Sequence, residues 1–312
     1  MMPFILACPK CGSLLDCPNP DEYRCPRDQS SYLKKDGIWR FLPQERAVIY
    51  KAFIQDYEEI RRQEGRGSPD RAYYQTLPFH DLTGRFQGDW RIRSISFRTL
   101  NDILIRPLHN QLQRGLTILD LGAGNCWLSN RLSLSGHSVA AIDILDNPMD
   151  GLGAHMYYDS NFIPIQAEID HLPLANQQVD LIIYNGSFHY STDYQTTLYE
   201  ALRVLKSDGS IAIIDTPIYQ RESSGEQMVL EREQSFQCQY GFPSNALPFE
   251  NYLTYDRLNK LSLGLNIQWK LHTPNYGLRW ALRPMRAKLR GHREPAKFKL
   301  IVGKPTGRDS DS

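Results

Sequence analysis

The sequence has no apolar run approaching the roughly 20 residues that a bilayer-spanning helix needs. It has no surplus of either charge: 36 Lys and Arg stand against 35 Asp and Glu, a net +1. That balance gives no general attraction to nucleic acid or to a membrane. The start, Met1 to Cys8, briefly resembles a lipoprotein cleavage site, but it has no basic region and its apolar run falls short of the ~7 residues of a signal peptide. A cytoplasmic location is therefore expected. Cysteine is scarce: six in all, four of them (Cys8, Cys11, Cys17, Cys25) within the first 25 residues, with Cys126 and Cys238 isolated. In a reducing compartment this clustering favours a metal or free thiols over disulfides. Internal repeats are absent. Apolar residues are plentiful, at 41% of 312 positions, so a sizeable core is expected and global disorder is not.

Along the chain, a Cys/Pro-rich module occupies residues 1–42. A helix is predicted from about Glu45 to Glu64, broken by Gly65-Arg66-Gly67-Ser68-Pro69. An aromatic, irregular stretch runs from Tyr73 to Gly88. Asp89 is placed as the cap of a further helix carrying Ile92, Ile95, Leu100, Ile103 and Leu104, which Pro107 ends or kinks. From Leu116 the pattern changes. Short apolar runs at Thr117–Leu121, Ser138–Ile142, Val179–Tyr184 and Ser210–Ile214 alternate with helical segments such as Asn125–Leu134 and Asp193–Leu205. This alternation predicts an α/β fold with a parallel sheet. The pattern lapses over 216–253. It resumes with a helix near Leu258–Leu263 and strands near Asn266–Leu271 and Lys297–Val302, between which lies the basic stretch Gly277–Arg293. Residues 305–312 read as a disordered tail.

The strongest chemical signal is Thr117-Ile118-Leu119-Asp120-Leu121-Gly122-Ala123-Gly124-Asn125, a buried strand turning through two glycines into a helix. Gly122 and Gly124 let the backbone lie against a ligand, and the helix start offers free N–H groups. A dinucleotide site would want a third glycine at the position of Trp127 and no acid beside the pyrophosphate. Asp120 would repel phosphates and attract a cationic sulfonium and ammonium ligand. Asp143, ending the second strand, is placed to accept ribose hydroxyls.

These motifs, with Glu168 before Leu172-Pro173-Leu174, Val179-Asp180 before the fourth strand, and Leu202-Arg203-Val204-Leu205-Lys206-Ser207-Asp208-Gly209-Ser210, resemble the class I S-adenosylmethionine (SAM)-dependent methyltransferases, in particular the methyltransferase type 11 subgroup. The resemblance covers about a third of the chain, Thr117–Asp215, with five motifs in order. It implies a Rossmann-like, seven-stranded, mostly parallel sheet with an antiparallel last strand, assigned here to residues 116–304, with a helical extension or lid at 43–115 and an insertion at 216–253. It implies SAM contacts at Asp120, Gly122, Ala123, Gly124, Asp143, Ile144, Glu168, Ile169 and Asn185. Asp120 would sit near the ammonium group, Asp143 would hold the ribose, and Glu168 would face the adenine amino group with Ile169 against the ring. Where the family usually carries a third glycine, this chain has Cys126. His189, following the fourth strand, is the candidate general base, with Tyr190 as the weaker candidate.

Cys8-Pro9-Lys10-Cys11-Gly12 and Tyr23-Arg24-Cys25-Pro26 resemble a zinc ribbon and also the N-terminal zinc module of guanine-methylating ribosomal RNA enzymes. The candidate ligands are Cys8, Cys11, Cys25 and Asp28, which stands where a fourth cysteine is usual; Gln29 replaces the histidine of the second pattern, and Cys17 is an alternative ligand. Such a zinc would be structural. A ribbon that folds without metal is the other reading. The stretch 279–293 (Arg279, Arg283, Arg286, Lys288, Arg290, Arg293) suits a membrane surface, RNA phosphates, a phosphorylated substrate or a plain solvated face. Three functions follow: methyl transfer to a small-molecule or lipid-like acceptor, methylation of ribosomal or transfer RNA, and a non-catalytic interaction protein. The first is preferred.

Overall fold

A computed structural model describes residues 3–242 and 246–306. The N-terminal module forms four short strands: β1 (Asp16–Asn19), β2 (Glu22–Arg24), β3 (Ser31–Lys35) and β4 (Ile38–Arg40). Helix α1 (Gln44–Gln63) follows, then α2 (Arg71–Thr76) and α3 (Gln87–Leu100). Asp70 caps α2 by accepting from the Ala72 N–H. Asp89 is not a cap: α3 begins two residues earlier and Asp89 lies in its first turn, a position where a carboxylate complements the helix dipole. Pro107 does not end the helical run. A π-helical turn at Asn101–Ile105 leads into α4 (Arg106–Leu112), and Pro107 sits in its first turn. The wider turn absorbs the missing N–H that a regular helix would require.

The alternating core then runs β5 (Thr117–Leu121), α5 (Trp127–Leu134), β6 (Ser138–Asp143), β7 (Ile163–Gln166), β8 (Val179–Asn185), α6 (Tyr194–Val204) and β9 (Leu205–Ile214). Asp193 caps α6 through the Thr196 N–H at 2.6 Å. In the region where the periodicity lapses lie β10 (Ile218–Tyr219), α7 (Glu222–Tyr240) and β11 (Leu253–Thr254). Helix α7 was not legible because it buries only Ser224 and Gly225, so it has no apolar stripe to read. The chain continues through α8 (Tyr255–Leu265), β12 (Ile267–His272), α9 (Leu278–Ala281), α10 (Arg283–Leu289) and β13 (Leu300–Pro305).

The sheet order is β1-β2-β3-β4-β7-β6-β5-β8-β9-β13-β12. Strands β7, β6, β5, β8 and β9 are mutually parallel, and β13 runs antiparallel between β9 and β12. This is the expected Rossmann-like sheet of seven strands with an antiparallel last strand. The sequence did not disclose that the N-terminal module continues it. Strand β4 pairs in parallel with β7, Trp39 opposite Ile165 and Arg40 opposite Gln166, giving an 11-stranded sheet. The added strands cover what would be an open edge.

Two apolar layers enclose the sheet. Leu119, Leu121, Ala140 and Ile142 face α6 and α8 together with Trp39 and Phe41. Ile118, Val139 and Ala141 face Leu100, Leu104, Trp127 and Leu128. Every strand end that matters for the site inherits its direction from this period-two alternation. The expected tail begins later than predicted: Pro305 is still paired with Ile267, and the Thr306 N–H donates to the Asn266 carbonyl at 2.7 Å. Residues 307–312 of that tail, and 243–245 of the insertion, lie outside the described residues.

Candidate functional site

At the carboxyl ends of β5, β6 and β8 a cleft encloses about 1100 Å³, counting its open mouth. Open α/β sheets bind ligands at this end. Its floor contains Gly122, Ala123, Gly124, Asp143, Ile144, Glu168, Ile169 and Asn185. Thus eight of the nine residues expected to meet SAM converge on one surface.

The floor is built mainly by backbone. Gly122 has φ +74°, and a Cβ there would lie 2.3 Å from the Ser187 Cβ, so no side chain fits. The Gly124 N–H donates to the Asp143 carboxylate at 2.8 Å, and the Leu145 N–H donates to its other oxygen at 2.9 Å. These bonds fix the carboxylate while leaving lone pairs for hydroxyl donors. Burial nevertheless pushes Asp143 up to about 6, against the pull of those N–H groups. Asn185 ends β8 with its Oδ1 buried and unpartnered among the described residues. A buried acceptor without a donor is costly, and a ligand donor in the cleft would satisfy it. Cys126 adopts the left-handed conformation, φ +62° and ψ 16°, at zero exposure. That geometry explains why glycine is usual there: a side chain in this region costs roughly 1–2 kcal/mol.

Asp120 is the exception. Strand alternation turns it to the same side as Ile118, towards α5, where the Ser129 hydroxyl donates to it at 2.7 Å. It is fully buried and outside the cleft wall, and burial pushes it up to about 7. One oxygen of the carboxylate thus ties β5 to α5, and the other, Oδ1, is buried without a partner among the described residues.

Glu168 lines the cleft but is already engaged. It is 2% exposed and accepts from Arg46 Nε at 3.0 and 3.1 Å and from the Tyr50 hydroxyl at 2.8 Å. It therefore holds the start of α1 over the site. The far end of α1 is held by Arg61, whose Nη2 donates to Asp150 at 3.0 Å. Between these ties, Tyr50, Phe53, Tyr57 and Arg61 face the cleft from one side of the helix, and α2 and α3 contribute Tyr73, Trp90 and Arg93. The sequence pointed to the aromatic stretch that includes Tyr73, with the adjoining Trp90, as a lid, but Tyr50, Phe53, Tyr57, Arg61 and Arg93 were missed. The available signal was the spacing of Tyr50, Phe53 and Tyr57, three and four residues apart.

Tyr190 lies on the cleft wall and His189 does not. The His189 Nδ1 is buried without a partner, and burial, then the Arg232 charge, pushes its pKa down to about 3. The imidazole is neutral at pH 7 but is a weak proton acceptor there.

A second cluster lies in the N-terminal module. Its two turns repeat one hydrogen-bond pattern. The Cys8 N–H donates to Ser13 and the Gly12 N–H to Cys8, both at 2.8 Å. The Cys25 N–H donates to Ser30 at 2.8 Å and the Gln29 N–H to Cys25 at 3.0 Å. Asp28 thus occupies in the second turn the position that Cys11 holds in the first. Ligand atoms of Cys8, Cys11, Cys25 and Asp28 all lie within 4.8 Å of one another. Three thiols and one carboxylate are a donor set that zinc accepts. Cys17 is exposed on β1, its thiol on the Asn19 carbonyl at 3.3 Å, away from the cluster.

Residues 119–213 match a family model described as a methyltransferase domain. Malonyl-[acyl-carrier protein] O-methyltransferase of Yersinia pestis is 29% identical over 101 residues, covering 32% of this chain and 37% of that protein. The ubiquinone/menaquinone biosynthesis C-methyltransferase of Coxiella burnetii is 24% identical over 158 residues, 46% of this chain and 63% of that one. The chain therefore spans less than two thirds of the length of either relative. The crystal structure of magnesium protoporphyrin IX methyltransferase from Synechocystis PCC 6803 with bound SAH aligns at 14% identity over 83% of this chain and 99% of that one, with a TM-score of 0.47. The matched segment carries the glycine turn and the strand ends that build the cleft floor, and the chain accordingly contains a class I methyltransferase domain of type 11.

Proposed function

We propose that this protein is a SAM-dependent methyltransferase acting on a small, largely apolar or lipid-like acceptor. Bound SAM supplies an electrophilic methyl group on a sulfonium. The supporting observation is the continuation of the cleft beyond its floor. Phe53, Tyr57, Tyr190 and Phe249 line it together, with ring centroids 4.8 Å apart for Phe53 and Phe249 and 5.5 Å apart for Tyr190 and Phe249. The same four rings also wall an adjoining cavity that reaches Phe236 on α7. Aromatic walls select an acceptor by shape and desolvation, and Arg61 and Arg66, which line both spaces, add charge that would meet a polar end of it. The ubiquinone/menaquinone name of one relative agrees with such an acceptor.

In this reading Gly122 and Gly124 leave room for the methionine portion of SAM, and the Asp143 carboxylate accepts from ribose hydroxyls. Asn185 offers its unpaired Oδ1 to a ligand N–H or O–H. Glu168 positions α1, so that Tyr57 and Tyr190 exclude water and orient the acceptor; orientation of this kind is worth ~7–11 kcal/mol in favourable cases. Tyr190, not His189, carries the wall contact. The Cys8, Cys11, Cys25 and Asp28 cluster holds a structural zinc, and its converged free thiols fit a cytoplasmic, reducing location.

The test is to incubate the full chain with methyl-labelled SAM and a cell extract, then separate the organic-soluble fraction from nucleic acid. Label in the organic fraction, reduced about tenfold or more by Phe249→Ala, is expected. Label in RNA alone would overturn the acceptor class.

A further inference from the structure

We propose that the segment 277–293 docks the protein onto an anionic lipid surface. Leu278 is 82% exposed, Leu289 79%, Met285 55% and Leu282 39%. These residues recur every three or four positions along α9, Leu282 and α10, and Leu282 itself has helical angles, so they form one outward apolar stripe.

The stripe is flanked by charge of one sign. No Asp or Glu occurs between Gly277 and Arg293. Arg279, Arg286, Lys288 and Arg290 are exposed and take part in none of the ion pairs among the described residues. Elsewhere Arg40, Arg46, Arg61, Arg114, Arg203 and Arg257 each meet a carboxylate.

The segment is held rigidly from its inner side. The Trp280 ring lies 4.9 Å from Tyr276 and 5.5 Å from Phe298, and the Arg283 guanidinium stacks over Trp280 at 3.9 Å. Arg293 meets Glu231 at 2.7 Å. The inner cations serve the fold, while the leucines and outer cations face away from it. Twelve residues from 278 to 289 are too few to span a bilayer, but they suffice for a helix lying in the interface.

The two halves of the surface decide the occupant. RNA would neutralise the cations and leave the leucines in water. A second copy of this segment would set like charge against like. An anionic membrane takes both, with acyl chains for the leucines and headgroups for the arginines. Tyr276, at the base of the segment, hydrogen-bonds Ser96 of α3 at 2.9 Å, and α3 also supplies Arg93 to the cleft. The docked segment is therefore linked through Tyr276 to the helix that supplies Arg93 to the cleft, a suitable arrangement for a lipid-like acceptor. The docking itself does not depend on that acceptor.

The experiment is co-sedimentation of the full chain with vesicles of phosphatidylglycerol and phosphatidylcholine or of phosphatidylcholine alone. Retention of S-adenosylhomocysteine binding serves as the folding control. Binding to the anionic vesicles only is expected. Leu278→Ser with Leu289→Ser, and separately Arg286→Glu with Arg290→Glu, should each weaken it at least roughly tenfold. No binding to anionic vesicles would overturn the proposal. So would leucine variants that bind as well as wild type, which is the behaviour of a purely electrostatic RNA site. Dimerisation that the leucine substitutions abolish would assign the stripe to a second copy instead.

Discussion

The floor and the roof of the cleft are made by different means. The floor consists of strand ends, glycine backbone and N–H groups, with Gly122, Gly124 and Asp143 held by bonds to neighbouring main chain. The roof consists of side chains on α1, α2 and α3, held by two ion pairs, Arg46–Glu168 and Arg61–Asp150. A site made of backbone tolerates little substitution and leaves a sequence signature. A site made of side chains on one helix face can be rebuilt by many sequences and leaves almost none. The floor suits a fixed ligand and the roof a variable one.

Gly122→Arg attacks the floor and has the largest expected effect. Its side chain must displace the buried Ser187, so S-adenosylhomocysteine binding should fall by at least about a hundredfold, with circular dichroism as the check that the variant folds. Phe249→Ala removes a ring that packs on the roof residue Phe53. It should leave cofactor affinity within about threefold and lower kcat/KM for the acceptor by roughly tenfold. If both variants lose cofactor equally, the division between floor and roof is wrong.

Acid provides a finer separation. The ionised Asp143 carboxylate is the stronger acceptor for two ribose hydroxyls, and burial pushes its pKa up to about 6. Cofactor affinity should therefore be flat above that pH and fall by about tenfold per unit below it, as measured by titration calorimetry between pH 5 and 8. Asp180 has the opposite sign of shift. It is buried, and Arg114 at 2.7 Å with Lys206 at 2.8 Å holds its carboxylate down at about 2 against the cost of burial. A depressed value adds stability that is present above the unfolded value near 4 and lost as pH falls through about 2. Asp180→Asn should cost roughly 2–3 kcal/mol in denaturant unfolding without changing cofactor affinity at pH 7.

The smallest effect expected on the cleft comes from the N-terminal cysteine module, where zinc is proposed. Lys10 pairs with Glu45 at 2.7 Å, and β4 leads directly into α1. Chelation should lower the Tm and weaken cofactor binding only several-fold, because the module reaches the site through the roof.

Six of the seven strands were legible because they read as short apolar runs, and the two glycines marked the turn; the count of seven came from the family resemblance, and the short β7, Ile163–Gln166, was not among the runs. The bond from Ser129 to Asp120 was not legible, because motif order says nothing about which face of a strand a side chain takes; alternation with Ile118 sends Asp120 to α5. The role of Glu168 as the anchor of α1 depends on Arg46 and Tyr50, more than a hundred residues away in sequence. The pairing of β4 with β7 rests on two short strands whose partnership is decided only by the fold. Helix α7 lacks an apolar stripe, so periodicity could not announce it.

The account stands most directly on calorimetric titration of S-adenosylhomocysteine and SAM into wild-type protein, Gly122→Arg and Asp143→Ala. The predicted result is micromolar binding by the wild type, undetectable in Gly122→Arg and reduced at least about tenfold in Asp143→Ala. A folded, zinc-replete wild type that binds neither compound would contradict the account and leave a methyltransferase fold serving as an interaction module.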